Sequence, residues 1–296
     1  MEPTFEIDPG LLENASEFAD PFFKRFELRS APEPLRLNDE VSKDYKFPTF
    51  YGDVTCAMAV FLCSYKRAKE LMPHPRMEPV RMTRGRALVA FSCYIYRKVL
   101  GVAPYNEIAM TIPIQVAPLL NVPVLPMLID VFPRFGYYVF SMPVTSLENQ
   151  IRGVKIWGLP KVVQRIDIDG QDGDCVTRAY EQSGERYFEL RVPMAGKPTR
   201  FDVCSNLYSR LGNDLKQSQT CFMAEFNLNK RTDLLFKKDV EPDRNYLVLG
   251  DGPSAEALKR LEIERQPFQL RYAERMSSCF DLSNPDYKAP FDFKGM

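Results

Sequence analysis

"VVQRIDIDGQDGDCVTRAYEQSGERYFELRVPMAGKPTRFDVCS", residues 162–205, decides the fold class. Its apolar and polar residues alternate in short runs, "VVQRIDIDG", "CVTRAYEQ", "RYFELRVPM" and "TRFDVCS", separated by Asp-Gly, Ser-Gly and Ala-Gly pairs. Period-two alternation between closely spaced turn signals predicts an antiparallel meander. Upstream, "VTCAMAVFLCSY", "RALVAFSCYIYRKV", "YNEIAMTIPIQV" and "GYYVFSMPV" are β-branched and aromatic runs bounded by Gly and Pro, and predict further strands.

Helical signals are few. "YKRAKELM" predicts one or two turns that end at Pro73, and "TSLENQIRGV" a short helix capped by Thr145 or Ser146 with Gly153 near its end. "YLVLGDGPSAEALKRLEIERQPFQLRYAERMSSCF" predicts a strand, a helix opened by Pro253 or Ser254, and a strand. Residues 1–47 lack clear periodicity and read as an arm with one short helix around residues 11–18, which wraps the body or a neighbour. The expectation is an α+β chain: the arm, then one domain over residues 48–296 built on a barrel-like antiparallel sheet with flanking short helices.

Composition removes several function classes. Thirty-nine basic residues balance thirty-nine acidic ones, and no basic run is interleaved with aromatics, so nucleic acid is not an expected partner. The N-terminus is acidic where a signal peptide is basic, and the protein is expected to be cytoplasmic. The apolar stretch "IPIQVAPLLNVPVLPMLIDVFP" carries five prolines, Gln115, Asn121 and Asp130, which argues against a membrane span and for a buried loop or interface segment. Seven scattered cysteines, never spaced as Cys-x-x-Cys, predict buried free thiols and neither a disulfide framework nor a zinc site. The single histidine, His74, sits between two prolines in a surface turn, which excludes a two-histidine metal site.

Chemistry is therefore left to lysine, carboxylates, tyrosine or cysteine, and "GVKIWGLPKVVQ" is where a lysine stands out. Pro160 fixes its own φ and pushes Leu159 to an extended conformation, while Gly158 permits a turn. Such a backbone can aim Lys161 inward among Trp157, Leu159 and the following Val162 and Val163. Poor solvation disfavours the ammonium and lowers its pKa from about 10.4. A neutral amine forms a Schiff base with a ketone. The alternative is a surface lysine in a turn. Glu107, a carboxylate in the apolar run "YNEIAMT", is likewise either an active-site group or the outward face of an amphipathic strand.

"GVKIWGLPKVV" resembles the signature of the acetoacetate decarboxylase family, in which Gly-Arg-Glu precedes an aromatic, a proline and a lysine pair. Lys161 matches the first lysine, the Schiff-base nucleophile, and Glu107 in "YNE" matches an active-site glutamate. The resemblance extends over about residues 48–282 and implies a cone-like antiparallel β-barrel, a lysine in an apolar pocket, no metal or organic cofactor, and assembly as a homo-oligomer. It also implies a β-keto acid as the small-molecule partner, lost carbon dioxide, and an enamine protonated before hydrolysis. The family is itself the standing example of a lysine activated by desolvation or by a neighbouring cation.

Departures from the pattern bear on the substrate. Val162 replaces the second lysine, and Ser92 stands where a second glutamate is expected. "FYGDVTCAM" has no arginine for the substrate carboxylate, leaving Arg152, Arg134 or Arg165 to supply one. The stretch from Glu107 to Lys161 is longer than in the decarboxylase, with the Pro-rich apolar segment as an insertion at the pocket mouth or a subunit contact. Ser92, Tyr105, Trp157 and Arg152 complete the candidate substrate contacts. The implied activity is decarboxylation of a β-keto acid less polar or larger than acetoacetate. Aldolase or aldol-dehydratase chemistry on the same imine, and a non-catalytic ligand-binding barrel, are the alternatives.

Overall fold

The computed structural model describes residues 1–121, 123–124 and 134–293. Seven long strands close a barrel: β1 (Thr49–Ser64), β2 (Arg86–Val99), β3 (Tyr105–Val116), β4 (Phe135–Val144), β5 (Lys197–Leu211), β6 (Asp214–Lys230) and β7 (Pro267–Ser283). They run β4-β5-β6-β7-β1-β2-β3 around the barrel, and β3 pairs back with β4. The barrel is mixed, since β4 and β5 are parallel while its other neighbours are antiparallel.

A parallel pair needs a long crossover. The chain between β4 and β5 supplies it, and places there both the short helix Leu147–Arg152 and the segment bearing Lys161. Strand β5 pairs with β4 only at Tyr137 and Tyr138. Further along the same edge, Met142–Val144 pairs instead with Lys161–Val163, also parallel. The lysine thus enters the wall where β4 exchanges one neighbour for another.

A second, four-stranded sheet of Ile166–Gln171, Asp174–Tyr180, Arg186–Pro193 and Leu247–Leu249 covers the outside of β1 and β2. Ala57, Ala59, Phe61, Val89 and Phe91 pack outward against Phe188, Leu190 and Val192, whereas Val54, Cys56, Tyr96 and Ala109 pack inward. Both faces of these strands are buried, which is why their sequences read as continuous apolar runs. The meander is realised by three of its four expected runs. The fourth, "TRFDVCS", belongs to β5, because Ala195-Gly196 leads the chain out of the small sheet and into the barrel.

The N-terminal arm contributes single 3-10 turns, Ala15–Glu17 and Phe23–Arg25, in place of the expected helix. It packs on the body: Phe18, Phe22 and Phe23 cover Phe50, Cys221 and Cys279. Lys43 of the arm donates to both carboxylate oxygens of Glu148 at 3.1 Å, and the Tyr45 hydroxyl donates to the same group.

Five cysteines are buried free thiols, but Cys204 and Cys221 form a disulfide. The expectation of seven thiols fails because the β5–β6 register sets these two directly opposite each other, with Cα atoms 4.0 Å apart. Their 17-residue separation in sequence conceals that pairing. No helix among the described residues is long and apolar enough to cross a membrane. Beyond β3 and residues 117–121, 123 and 124, the Pro-rich insertion and the roles expected of it lie outside the described residues.

Candidate active site

The helix Leu147–Arg152 begins as its sequence requires, with Ser146 accepting a hydrogen bond from the Asn149 backbone N–H. It does not stop at Gly153 but widens into one π-helical turn, Gly153–Trp157, which ends at Gly158 with φ +68°. Two glycines here leave no room for a Cβ. A Cβ on Gly158 would lie 2.2 Å from the Arg210 carbonyl oxygen, and one on Gly153 would lie 2.4 Å from Lys161 Cδ. The lysine stem therefore lies directly on the Gly153 backbone, and its direction is set by that contact. Leu159 and Pro160 then carry the chain into the Lys161–Val163 strand.

Lys161 points inward. Its side chain is 5% exposed, and Nζ donates to Glu107 Oε2 at 2.6 Å and to Asn149 Oδ1 at 3.2 Å. The Tyr105 ring centroid is 5.7 Å from Nζ. Glu107, 7% exposed, projects from β3 and also accepts from the Tyr96 hydroxyl at 3.4 Å. The surface-turn reading of the lysine and the outward-facing reading of Glu107 are both removed, since β3 is buried along its whole length.

Burial pushes the Lys161 ammonium below its ordinary range; Glu107 pulls it back up, and Arg152 pushes it further down. Burial wins. Arg152 is fully buried, lies 4.3 Å from the Tyr45 ring centroid, and donates to Thr49 Oγ1 at 3.0 Å. Its Nε and Nη1 have no partner among the described residues. The buried groups Lys43, Arg152, Lys161, Glu107 and Glu148 hold three cations against two anions, an excess of one positive charge that adds to burial in disfavouring the Lys161 ammonium.

A cavity of about 100 Å³, open on one side, meets Lys161 and Glu107. Tyr94 and Tyr96 stack along one wall with centroids 5.1 Å apart, and Phe222, Phe280, Met142 and Met276 complete its apolar lining. Burial pushes the Tyr94 and Tyr96 hydroxyls well above their usual range, so they remain neutral. Among the described residues no group of three or more His, Cys, Asp or Glu is arranged to hold a metal ion.

The structure brings together Lys161, Glu107 and Tyr105, with Arg152 behind them. It separates the other candidates. Ser92 is buried but does not line the cavity, and Trp157 turns away to donate from Nε1 to the Asp281 carbonyl at 2.9 Å. Arg134 is exposed, and Arg165 is a half-exposed partner of Asp167 and Glu2. Of the two valines after the lysine only Val163 is buried; Val162 is 42% exposed, because successive strand residues face opposite ways. The apolar wall comes instead from β2, β4, β6 and β7.

Asn149, Tyr94 and Tyr96 escaped the sequence reading. The period-two alternation of Ser92, Tyr94 and Tyr96 on one face of β2 held the signal for the tyrosines, whereas nothing local marks Asn149.

The fold has known counterparts. Acetoacetate decarboxylase from Legionella pneumophila superposes with a TM-score of 0.58 at 12% identity over 94% of each chain. A second acetoacetate decarboxylase structure matches with a TM-score of 0.56, 12% identity, and coverage of 83% of this chain and 91% of that one. The enduracididine biosynthesis enzyme MppR with HEPES bound gives 0.50 at 12% identity, covering 81% and 89%. At such identities these likenesses establish the fold alone. No curated protein matches in sequence. The acetoacetate decarboxylase family model, however, matches residues 33–206, more than half of the 296-residue chain and inclusive of Glu107 and Lys161. On that match, the chain belongs to the acetoacetate decarboxylase family.

Proposed function

We propose that this protein is a carbon–carbon lyase that forms a Schiff base between Lys161 and a keto acid and decarboxylates a β-keto acid through it. The observation that carries the reading is the 2.6 Å contact between a buried lysine and a buried carboxylate at the wall of an apolar cavity. Transfer of the shared proton from Nζ to Glu107 leaves a neutral amine without creating net charge. The amine attacks the substrate carbonyl, Glu107 gives its proton to the departing hydroxyl so that water leaves, and the resulting iminium accepts the electron pair of the breaking Cα–carboxylate bond. Carbon dioxide departs, and Glu107, reprotonated from solvent, delivers a proton to the enamine carbon. Water then releases the ketone and restores Lys161.

The test is incubation with acetoacetate or a longer β-keto acid, borohydride reduction, and peptide mapping, alongside carbon dioxide measurement. An adduct on Lys161 with gas release is expected; a folded protein with no adduct from any keto acid overturns the reading. One observation favours a second reading, aldol chemistry on the same enamine: no guanidinium lines the cavity among the described residues, so nothing there is dedicated to a carboxylate.

A further inference from the structure

Resting on the Schiff-base reading of Lys161, we infer that the cavity encloses the uncharged ketone end of its substrate, a fragment of about four non-hydrogen atoms, and leaves the carboxylate at the open mouth. The same site therefore takes short neutral ketones directly.

Size is the first constraint. An apolar cavity of about 150 Å³ holds benzene, with six non-hydrogen atoms. The Lys161 cavity offers about 100 Å³, so an aryl group does not fit behind the imine carbon, whereas the alkyl groups of acetone or butanone do. Charge is the second. Among the described residues Lys161 is the one cation lining the cavity, and its charge passes to the iminium, where Glu107, 2.6 Å away, already offsets it as the one anion. A carboxylate drawn inside would lose its hydration, meet Glu107 and find only hydroxyl donors such as Ser278. The arginines do not change this. Arg152 is sealed behind the Tyr45 ring, and Arg134 and Arg165 lie on the exterior.

The two constraints orient the substrate, with its alkyl end against the apolar lining, which includes Met142, and its carboxylate toward solvent. That places the breaking bond at the opening, where carbon dioxide leaves outward and the enamine carbon is the atom left facing the mouth.

The test is borohydride trapping with acetone, butanone, pyruvate, acetoacetate and acetophenone. Each labelling rate at Lys161 is divided by the rate of the same carbonyl with free Nα-acetyl-lysine, which removes intrinsic reactivity. Acetone and butanone are expected to exceed pyruvate and acetophenone at least tenfold on this scale. Equal or faster normalised labelling by pyruvate or acetophenone, with Lys161 still the modified residue, overturns the inference and leaves the Schiff-base reading standing. Failure of every carbonyl to label Lys161 overturns both. Met142→Ala supplies an independent check, since the added volume should raise normalised acetophenone labelling at least fivefold; no rise overturns the size argument. Ser278→Arg brings a guanidinium to the lining and should shift preference toward pyruvate; in a folded variant, an unchanged ratio overturns the charge argument.

Discussion

The β1–β3 wall and the β5–β6 hairpin close the same barrel but are built on different terms. The first is buried on both faces, by the cavity within and the four-stranded sheet without. The second leaves much of its outer face to solvent and is tied across its strands by Cys204–Cys221. A charged residue costs little on the hairpin, whereas in β3 it must find a partner. Glu107 stands in the doubly buried wall and finds Lys161, which arrives from the crossover between β4 and β5. Double burial is thus what makes one carboxylate informative while dozens elsewhere are solvated surface.

The hardest way to break that contrast is to remove the lysine. Lys161→Ala should reduce borohydride-trapped adduct to background, while Lys155→Ala, a half-exposed lysine six residues earlier, should leave it unchanged. The same substitution strands Glu107 in the apolar wall, and chemical denaturation should register a loss of about 3 kcal/mol. Gly153→Ala probes position without touching the chemistry. Its Cβ would lie 2.4 Å from Lys161 Cδ, so the stem must move, and a displacement of about 1 Å should slow trapping roughly a hundredfold. Trapping at the wild-type rate would show that Gly153 does not aim the amine.

Legibility followed the same division. Runs 86–99 and 105–116 match β2 and β3 end to end, because strands buried on both faces must be apolar throughout and are bounded by turn residues. Strand β6, "DLKQSQTCFMAEFNLNK", went unassigned: polar residues dominate its first half, and its outward positions need no apolar side chain. The lysine and glutamate stood out as charges in an apolar frame, but that frame left each open to a surface reading, and only the resemblance to the family signature joined them. Asn149 was not legible, since only the turn through Gly153 and Gly158 brings it under Nζ. Val162 misled for a simple reason: adjacency in a strand places side chains on opposite faces.

A smaller effect separates burial from charge at the amine. Trapping should rise with pH as Lys161 loses its proton, with a midpoint below the ordinary lysine value because burial lowers it. Arg152→Met removes a cation that lowers this pKa and should move the midpoint up; Glu107→Gln removes the anion that raises it and should move the midpoint down. The sign for stability follows. With the folded pKa below the unfolded one, the unfolded chain binds more protons between the two values, so the folded state gains stability as pH rises through that window. A midpoint unmoved by Arg152→Met, in a folded variant, would assign the whole shift to burial.

The opposite wall supplies the control, and the smallest effect on chemistry. Denaturation without reductant, followed by alkylation, should modify five cysteines and leave Cys204 and Cys221 protected. Cys204→Ser breaks the cross-link at its exposed end and, by loop-closure entropy for a separation of this length, should cost about 3 kcal/mol. Imine formation should be untouched, because the disulfide sits on the outer face under the arm while Lys161 is held by Gly153, Asn149 and Glu107. A parallel loss of trapping and stability would instead mean that the hairpin wall, through Phe222 and the adjacent β7 residues, sets the cavity as strongly as the buried wall does.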